Sequence, residues 1–248
     1  VKEYIIGADL GRDTDPTAIL IGKLIQTPTS MTKARTGGLY HEDAIERRLS
    51  IVYSEQIPLR TPYTEIARRL VDLAKHKQFI GNNQMIMDAT GVGTPVVDII
   101  RESKVIPWGV KITAGEYETT RQDGFVNVPK VKLVDSVIAL LHTGRLSFAN
   151  GLEHADLIQK QLAEFEMKRK ANGSVKYENR LDVIHDDMVI ALGLICWYFV
   201  KLYGASLTYV PAGGKITRTI ISDPMKIREE SWRKRQGRML ENGRQYRR

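Results

Sequence analysis

The sequence predicts an α/β fold, and three observations carry that expectation. Three apolar strand-like segments, Tyr4 to Leu10, Ala18 to Ile25 and Leu49 to Leu59, precede the first helical period, the pattern of a meander followed by its crossover. From Gln84 to Glu164, strand-length and helix-length segments then alternate. Met188 to Val200 is apolar nearly all round, so its helix must be deeply buried.

In the first segment Tyr4, Ile6, Ala8 and Leu10 share one face, and Ile5, Gly7 and Asp9 the other, which leaves a carboxylate at the end of a mostly apolar strand. Burying a carboxylate costs several kcal/mol unless a cation or hydrogen bonds replace its water. Asp9 is therefore either a turn-capping aspartate or the ligand of something positive. After the second strand, Thr27 to Glu46 is a polar insertion containing Gly37-Gly38. The third strand leads to a helix that Thr64 caps and that runs to about Gln78, with Ile66, Leu70 and Leu73 on its inner stripe.

Gln84 to Asp88 reads as a short buried strand, again ending in a carboxylate, before Ala89-Thr90-Gly91-Val92-Gly93. Thr94 as N-cap and Pro95 at the first helical position start a helix to about Ser103. A strand over Val105–Thr113, a helix over Asn127–Thr143 closed by Gly144, a short strand over Arg145–Phe148 and a helix from about Glu153 to Glu164 follow. Glu164 to Glu178 reads as a hairpin around Asn172-Gly173. Asp186 and Asp187 open the final buried helix.

The chain's 42% hydrophobic and 27% charged residues are those of a water-soluble globular protein. A single cysteine, Cys196, excludes an intramolecular disulfide. No apolar run is long enough to span a bilayer and no signal peptide opens the chain, so the expected location is cytoplasmic, without a membrane partner. Of the net charge of +8, nearly all lies in Pro211 to Arg248, where eleven Lys/Arg face four Asp/Glu. The expected organisation is one domain over residues 1–204 and a basic, partly flexible extension over 205–248. Such an extension suits nucleic acid or an acidic protein surface, and equally a solvated tail. Starting at Val1, almost directly in a strand, the chain reads as a piece of a longer polypeptide.

Three acidic places recur: Asp9 and Asp88 at strand ends, and Asp186-Asp187 at a helix start. Parallel neighbouring strands ending together under that helix would gather four carboxylates, a cluster that needs cations. Carboxylate oxygens are the ligands hard divalent ions prefer, and two such ions can drive in-line phosphodiester displacement. Taken singly, Asp9 and Asp88 read more readily as turn residues than as ligands, and Asp186 and Asp187 read also as acids favoured by a helix dipole. Coincidence of position favours the cluster, as do Gly7, Gly11, Ala89 and Gly91, which leave room beside it.

The order Asp-Leu-Gly-(x)₃-Asp-Pro-Thr-Ala, Met-Asp-Ala-Thr-Gly-Val-Gly and His-Asp-Asp-Met-Val-x-Ala-Leu resembles the nuclease domain of tailed-phage large terminases over roughly Val1 to Leu202. The resemblance implies a ribonuclease H-like mixed sheet, three antiparallel strands then parallel ones, flanked by helices and carrying an extra β-hairpin near the cleft. It implies a metal-dependent endonuclease that cuts double-stranded viral DNA during genome packaging, with two Mg²⁺ or Mn²⁺ ions and little sequence specificity. Asp9, Asp88 and Asp187 match its catalytic metal-binding acids, Asp186 a further ligand or orienter, and Asp15 an additional acid beside the site. Implied partners are double-stranded DNA, the ATPase domain of the full-length protein, the portal and the small terminase subunit, within the cytoplasm of an infected host cell.

His185 is a candidate to orient an aspartate, and a structural histidine is at least as good a reading. Arg12, Lys168, Arg169, Lys170 and Lys176 are candidates for DNA phosphates, with solvated surface as their default. Asp13 reads as a turn residue. No phosphate-binding Gly-x-x-x-x-Gly-Lys-Ser/Thr occurs, which fits a nuclease piece without its ATPase. Three other readings stay open: an actin- or sugar-kinase-like ATP-dependent enzyme suggested by Asp-Leu-Gly, a Holliday-junction resolvase or transposase with the same acids, and a non-catalytic DNA- or portal-docking module.

Overall fold

The computed structural model describes residues 2–11, 13–28, 45–91, 93–115, 117–121, 124–169, 175–179 and 186–204; for 165–169 and 175–179 the description is of the backbone. Along the chain the elements are β1 (Tyr4–Asp9), β2 (Thr17–Pro28), β3 (Ile45–Ile57), α1 (Tyr63–Lys75), β4 (Asn83–Asp88), α2 (Gly93–Glu102), β5 (Trp108–Thr113), β6 (Thr119–Thr120) and β7 (Val126–Pro129). They continue as α3 (Lys130–His142), β8 (Leu146–Phe148), α4 (Ala155–Ala163), β9 (Phe165–Arg169), β10 (Val175–Asn179) and α5 (Asp187–Tyr203).

Eight strands form one mixed sheet in the order β6-β7-β5-β4-β1-β2-β3-β8. β1, β2 and β3 make the expected antiparallel meander. β4, β5 and β7 then add in parallel on the β1 side. The short strands β8, parallel to β3, and β6, antiparallel to β7, close the two edges.

Strand periodicity decides which side chains meet which helix. Tyr4, Ile6 and Ala8 of β1, Ile19 and Ile21 of β2, and Met85 and Met87 of β4 join one core cluster with Ile66 and Leu70 of α1 and Val96, Val97 and Ile100 of α2. The alternate residues face α5, whose buried run from Met188 to Tyr198 covers the second side. Gly7 permits that approach. A Cβ there would stand 2.4 Å from the Ala191 carbonyl oxygen and 2.6 Å from the Ile195 side chain.

Several boundaries depart from the sequence expectation. Pro62, not Thr64, precedes the first turn of α1, and its carbonyl accepts the N–H groups of Glu65 and Ile66. The helix stops at Lys75, since Phe79 N–H turns back onto the His76 carbonyl. Thr94 lies inside α2, where its hydroxyl donates to the Ala89 carbonyl instead of capping. The segment expected as one helix from Asn127 is a strand and then a helix. Val126 and Val128 are buried with Asn127 between them, a period of two, and Pro129 ends β7 because it has no N–H to continue the ladder.

Thr27 and Glu46, the ends of the polar insertion, are paired strand residues, while the residues between Pro28 and Ile45 lie outside the described ones. β9 and β10 form the expected two-stranded hairpin, with β10 packed beside α3; its turn at Asn172-Gly173 lies outside the described residues. The chain divides into two compact units, Val1–Tyr198 and Phe199–Arg248. In the second, the rings of Phe199 and Tyr203 meet edge to face at 5.2 Å, and the expected extension over 205–248 lies outside the described residues. Among the described residues, no helix is long and apolar enough to cross a membrane.

Candidate active site

The parallel register of β1 and β4 runs from Tyr4↔Asn83 to Ala8↔Met87, so the next residues, Asp9 and Asp88, end the two strands side by side. Neighbouring strands lie about 4.8 Å apart. Because Ala8 and Met87 point into the α1/α2 core, Asp9 and Asp88 point to the α5 side. On that side Ala18 pairs with Asp9, and Gln56 pairs with Ala18. The sheet therefore lays out a row of Gln56, Ala18, Asp9 and Asp88, with a small alanine where the start of α5 comes close.

At Asp9 this row meets a cleft of about 530 Å³, lined by Asp9, Asp186, Asp187, Tyr63 and the loop residues Leu10, Gly11 and 13–16. The loop is held at its neck: the Thr17 hydroxyl accepts the Gly11 N–H at 3.1 Å and donates to the Gly11 carbonyl at 3.3 Å. Gly11 has no alternative, because a Cβ would fall 1.9 Å from the Asp15 carbonyl oxygen. Asp15 lines the cleft and accepts the Thr14 hydroxyl at 3.1 Å. Asp13 lines the cleft as well, although it read as a mere turn residue.

The four expected acids are held in four different ways. Asp9 keeps some accessible surface, yet burial is the largest cause pushing its carboxyl well above the usual carboxylate range. Repulsion from Asp88, Asp186 and Asp187 adds to it, Lys130 opposes it, and among the described residues no hydrogen bond to the Asp9 carboxylate relieves it. Burial also raises Asp88. One Asp88 oxygen, Oδ1, accepts both the N–H and the hydroxyl of Thr90, at 2.8 and 2.6 Å, which opposes the rise.

Asp186, just before α5, is ion-paired through Oδ2 to Lys130 Nζ. Asp187, the first residue of α5, is only 3% exposed. Its Oδ2 accepts Gln56 Nε2 and its Oδ1 accepts Gln161 Nε2, each at 3.0 Å. Two amide donors thus satisfy the acid that the motif places among the metal ligands, and Asp186 is the more exposed neighbour.

Asp9 feels the other three, yet among the described residues no three of the His, Cys, Asp and Glu side chains form a ready metal cage. Thr90, Lys130 and the two glutamines each hold a carboxylate of the cluster. In charge and donor type the set fits a hard divalent cation: it is all oxygen, its charges repel at Asp9, and that acid has no hydrogen-bond donor among the described residues.

His185, Arg12 and Lys170 lie outside the described residues, as do the side chains of Lys168, Arg169 and Lys176. Of the stretch Gly91-Val92-Gly93, which read as a possible source of N–H groups for a phosphate, Val92 lies outside the described residues and Gly93 N–H is already engaged. Thr90 N–H is spent on Asp88, and Gly93 N–H on the Thr90 carbonyl. Sequence reasoning missed Lys130, Gln56 and Gln161. For Lys130 a signal existed: two lysines and no acid in the first turn of a helix, against its dipole.

No family model matches the chain, and no curated protein matches it in sequence. Solved structures do match. A mutant nuclease domain of the large terminase subunit of bacterial virus Sf6, with manganese and beta-thujaplicinol, aligns at a TM-score of 0.51 and 13% identity, over 79% of this chain and 87% of that one. The large terminase nuclease of thermophilic phage G20c with bound magnesium aligns at 0.50 and 17% identity, over 79% and 80% of the two chains. The cobalt-bound form of that nuclease gives the same values. At such identities the likeness establishes the fold: this chain has the ribonuclease H-like mixed sheet of the large terminase nucleases.

Proposed function

We propose that this chain is the nuclease domain of a tailed-phage large terminase, a divalent-metal-dependent endonuclease that cuts double-stranded DNA with little sequence specificity during genome packaging. The observation that carries the reading is the register that ends β1 at Asp9 beside the end of β4 at Asp88, under the helix start bearing Asp186 and Asp187. Its fold is that of proteins solved as large terminase nucleases, with magnesium or cobalt in one case and manganese in another. In this reading the partners are duplex DNA and the ATPase domain of the full-length protein, with portal and small subunit beyond them.

Asp9, Asp88, Asp186 and Asp187 would hold the metal, two ions in all, with the Asp187 carboxylate at the cleft wall also fixing the start of α5. When bound, such ions activate a water and stabilise the leaving oxygen of an in-line phosphodiester displacement. The protein's own groups prepare that site. Thr90 fixes Asp88 through Oδ1. Gln56 and Gln161 fix Asp187, and the Thr17–Gly11 bonds set the loop that brings Asp15 to the cleft wall. Residues 1–204 would be the catalytic domain and the basic residues 205–248 an extension toward DNA or the portal.

A kinase-like reading needs a threonine-glycine turn that offers donors to a phosphate, and here Thr90 gives both its N–H and its hydroxyl to Asp88. Incubating plasmid DNA with the protein and Mn²⁺ or Mg²⁺, with and without EDTA, and with Asp88→Ala, tests the proposal. Nicking and linearisation that vanish with EDTA and with Asp88→Ala are expected. Metal-independent cutting, or an equally active Asp88→Ala, would overturn it.

A further inference from the structure

We propose that Lys130 is the resident counter-cation of the acidic cleft, the group a divalent ion has to displace from Asp186, so that this lysine sets how much metal the site requires. The inference rests on the metal-dependent reading above. Geometry supplies its first support: Lys130 Nζ donates to Asp186 Oδ2 in an ion pair whose side chains are 35% and 27% exposed. A pair shielded to that degree is formed and still open to exchange with ions from solvent.

Reach supplies the second. β7 lies two strands from β4 in the sheet, with β5 between them, and α3 begins directly after its last residue, Pro129. The ammonium at the start of α3 therefore stands over the same end of the sheet as Asp88 and Asp9. Its charge acts favourably on both. One ammonium serves carboxylates from the end of β1, the end of β4 and the start of α5.

Third, Lys130 occupies a position that local energetics disfavour. A cation in the first turn of a helix opposes the macrodipole. That turn holds Lys130 and Lys132 and no acid. Lys132 has its own partner in Glu118, at 3.6 Å. For Lys130, the compensation is the negative charge of the cleft, and a local rule broken with a compensating gain at a site marks a functional constraint. An Asp186 oxygen that accepts the ammonium cannot give the same lone pair to a metal ion, so the two cations compete.

The test compares the parent with Lys130→Met, which keeps the stem and loses the charge, and Lys130→Arg, which keeps the charge. Each is studied as the whole chain by calorimetric Mn²⁺ titration and by thermal melts in EDTA and in Mn²⁺. Lys130→Met should melt lower in EDTA, gain more on adding Mn²⁺, and bind Mn²⁺ about fivefold more tightly, the factor corresponding to one part-exposed ion pair. Lys130→Arg should stay near the parent. Should Lys130→Met fail to fold, Lys130→Gln makes the same comparison. Mn²⁺ affinity unchanged or weakened in the uncharged variant would overturn the inference. A parent that binds no Mn²⁺ at all would instead bring down the metal-dependent reading on which it rests.

Discussion

Gln161 of α4 and Asp187 of α5 are joined by a buried linkage in which one amide does two jobs. Its Nε2 donates to Asp187 Oδ1 at 3.0 Å, while its Oε1 accepts the N–H groups of Met188 at 3.0 Å and Val189 at 3.3 Å. The first N–H groups of a helix have no partner within it, so Gln161 caps α5 from a different helix. Gln161→Leu removes the cap and one of the two donors to a buried carboxylate. It should cost about 1.5–3 kcal/mol, the range for hydrogen bonds to a charged group, read as a lower urea midpoint.

Asp9 is raised well above the usual carboxylate range by burial and by three like charges. Asp9→Asn keeps the shape and removes the charge. In EDTA at neutral pH it should stabilise the protein by on the order of 1 kcal/mol, while abolishing DNA cleavage and weakening Mn²⁺ binding at least tenfold. Thermal melts beside plasmid cleavage test this. A variant both less stable and still active would contradict it.

The pH dependence follows with a definite sign. Asp9 and Asp88 are both raised above the ordinary carboxylate value, so the folded state holds their protons more tightly than the unfolded chain. Their contribution to stability is fully present below the unfolded pKa of about 3.9 and is lost as pH rises through the raised folded values. Comparing the parent with the Asp9→Asn, Asp88→Asn double variant in EDTA isolates this term. The parent should lose stability relative to the variant as pH increases from about 4, and saturating Mg²⁺ should shrink that loss.

Thr90 connects Asp88 to the next strand: its hydroxyl donates to Asp88 Oδ1 at 2.6 Å and accepts Ile112 N–H at 2.9 Å. Thr90→Val preserves shape and breaks both bonds. Stability should fall by about 1–2 kcal/mol, and kcat should fall more than the DNA KM rises, because Asp88 is misaimed while the cleft stays open. Thr90→Ser should recover most of the kcat.

Gly7 is where β1 and α5 touch. With a Cβ placed 2.4 Å from the Ala191 carbonyl, Gly7→Ala must push the helix outward. A loss of about 1–3 kcal/mol is expected from overpacking, and activity should drop with it, since the same helix carries Asp187 at its start. A denaturation curve and a cleavage assay on one preparation check both.

Much of this architecture is written locally. Alternation in Tyr4–Asp9 assigns Ile6 and Ala8 to one face and Gly7 and Asp9 to the other, and the apolar run after Asp187 requires a buried helix. Those patterns led to the meander, to two strands ending in acids, and to the helix start as the third acidic place. They failed where a short strand and a helix adjoin, at Val126–His142, because four residues of period two merge with the helical period that follows.

Which acids stand at the strand ends and at the helix start is legible in the chain alone, since side-chain period and chain direction are local properties. How each acid is held depends on contacts between distant segments. Gln56 reaches Asp187 through the register of β3 on β2, Gln161 through the packing of α4 on α5, and Lys130 through the placement of β7 beside β5. Separation in the chain hides them: a glutamine or lysine carries no periodic signature of a partner 26, 56 or 131 residues away. The same partners explain why Asp187, which the motif ranks with the metal ligands, is a buried and satisfied carboxylate, while Asp186 meets the cleft's cation.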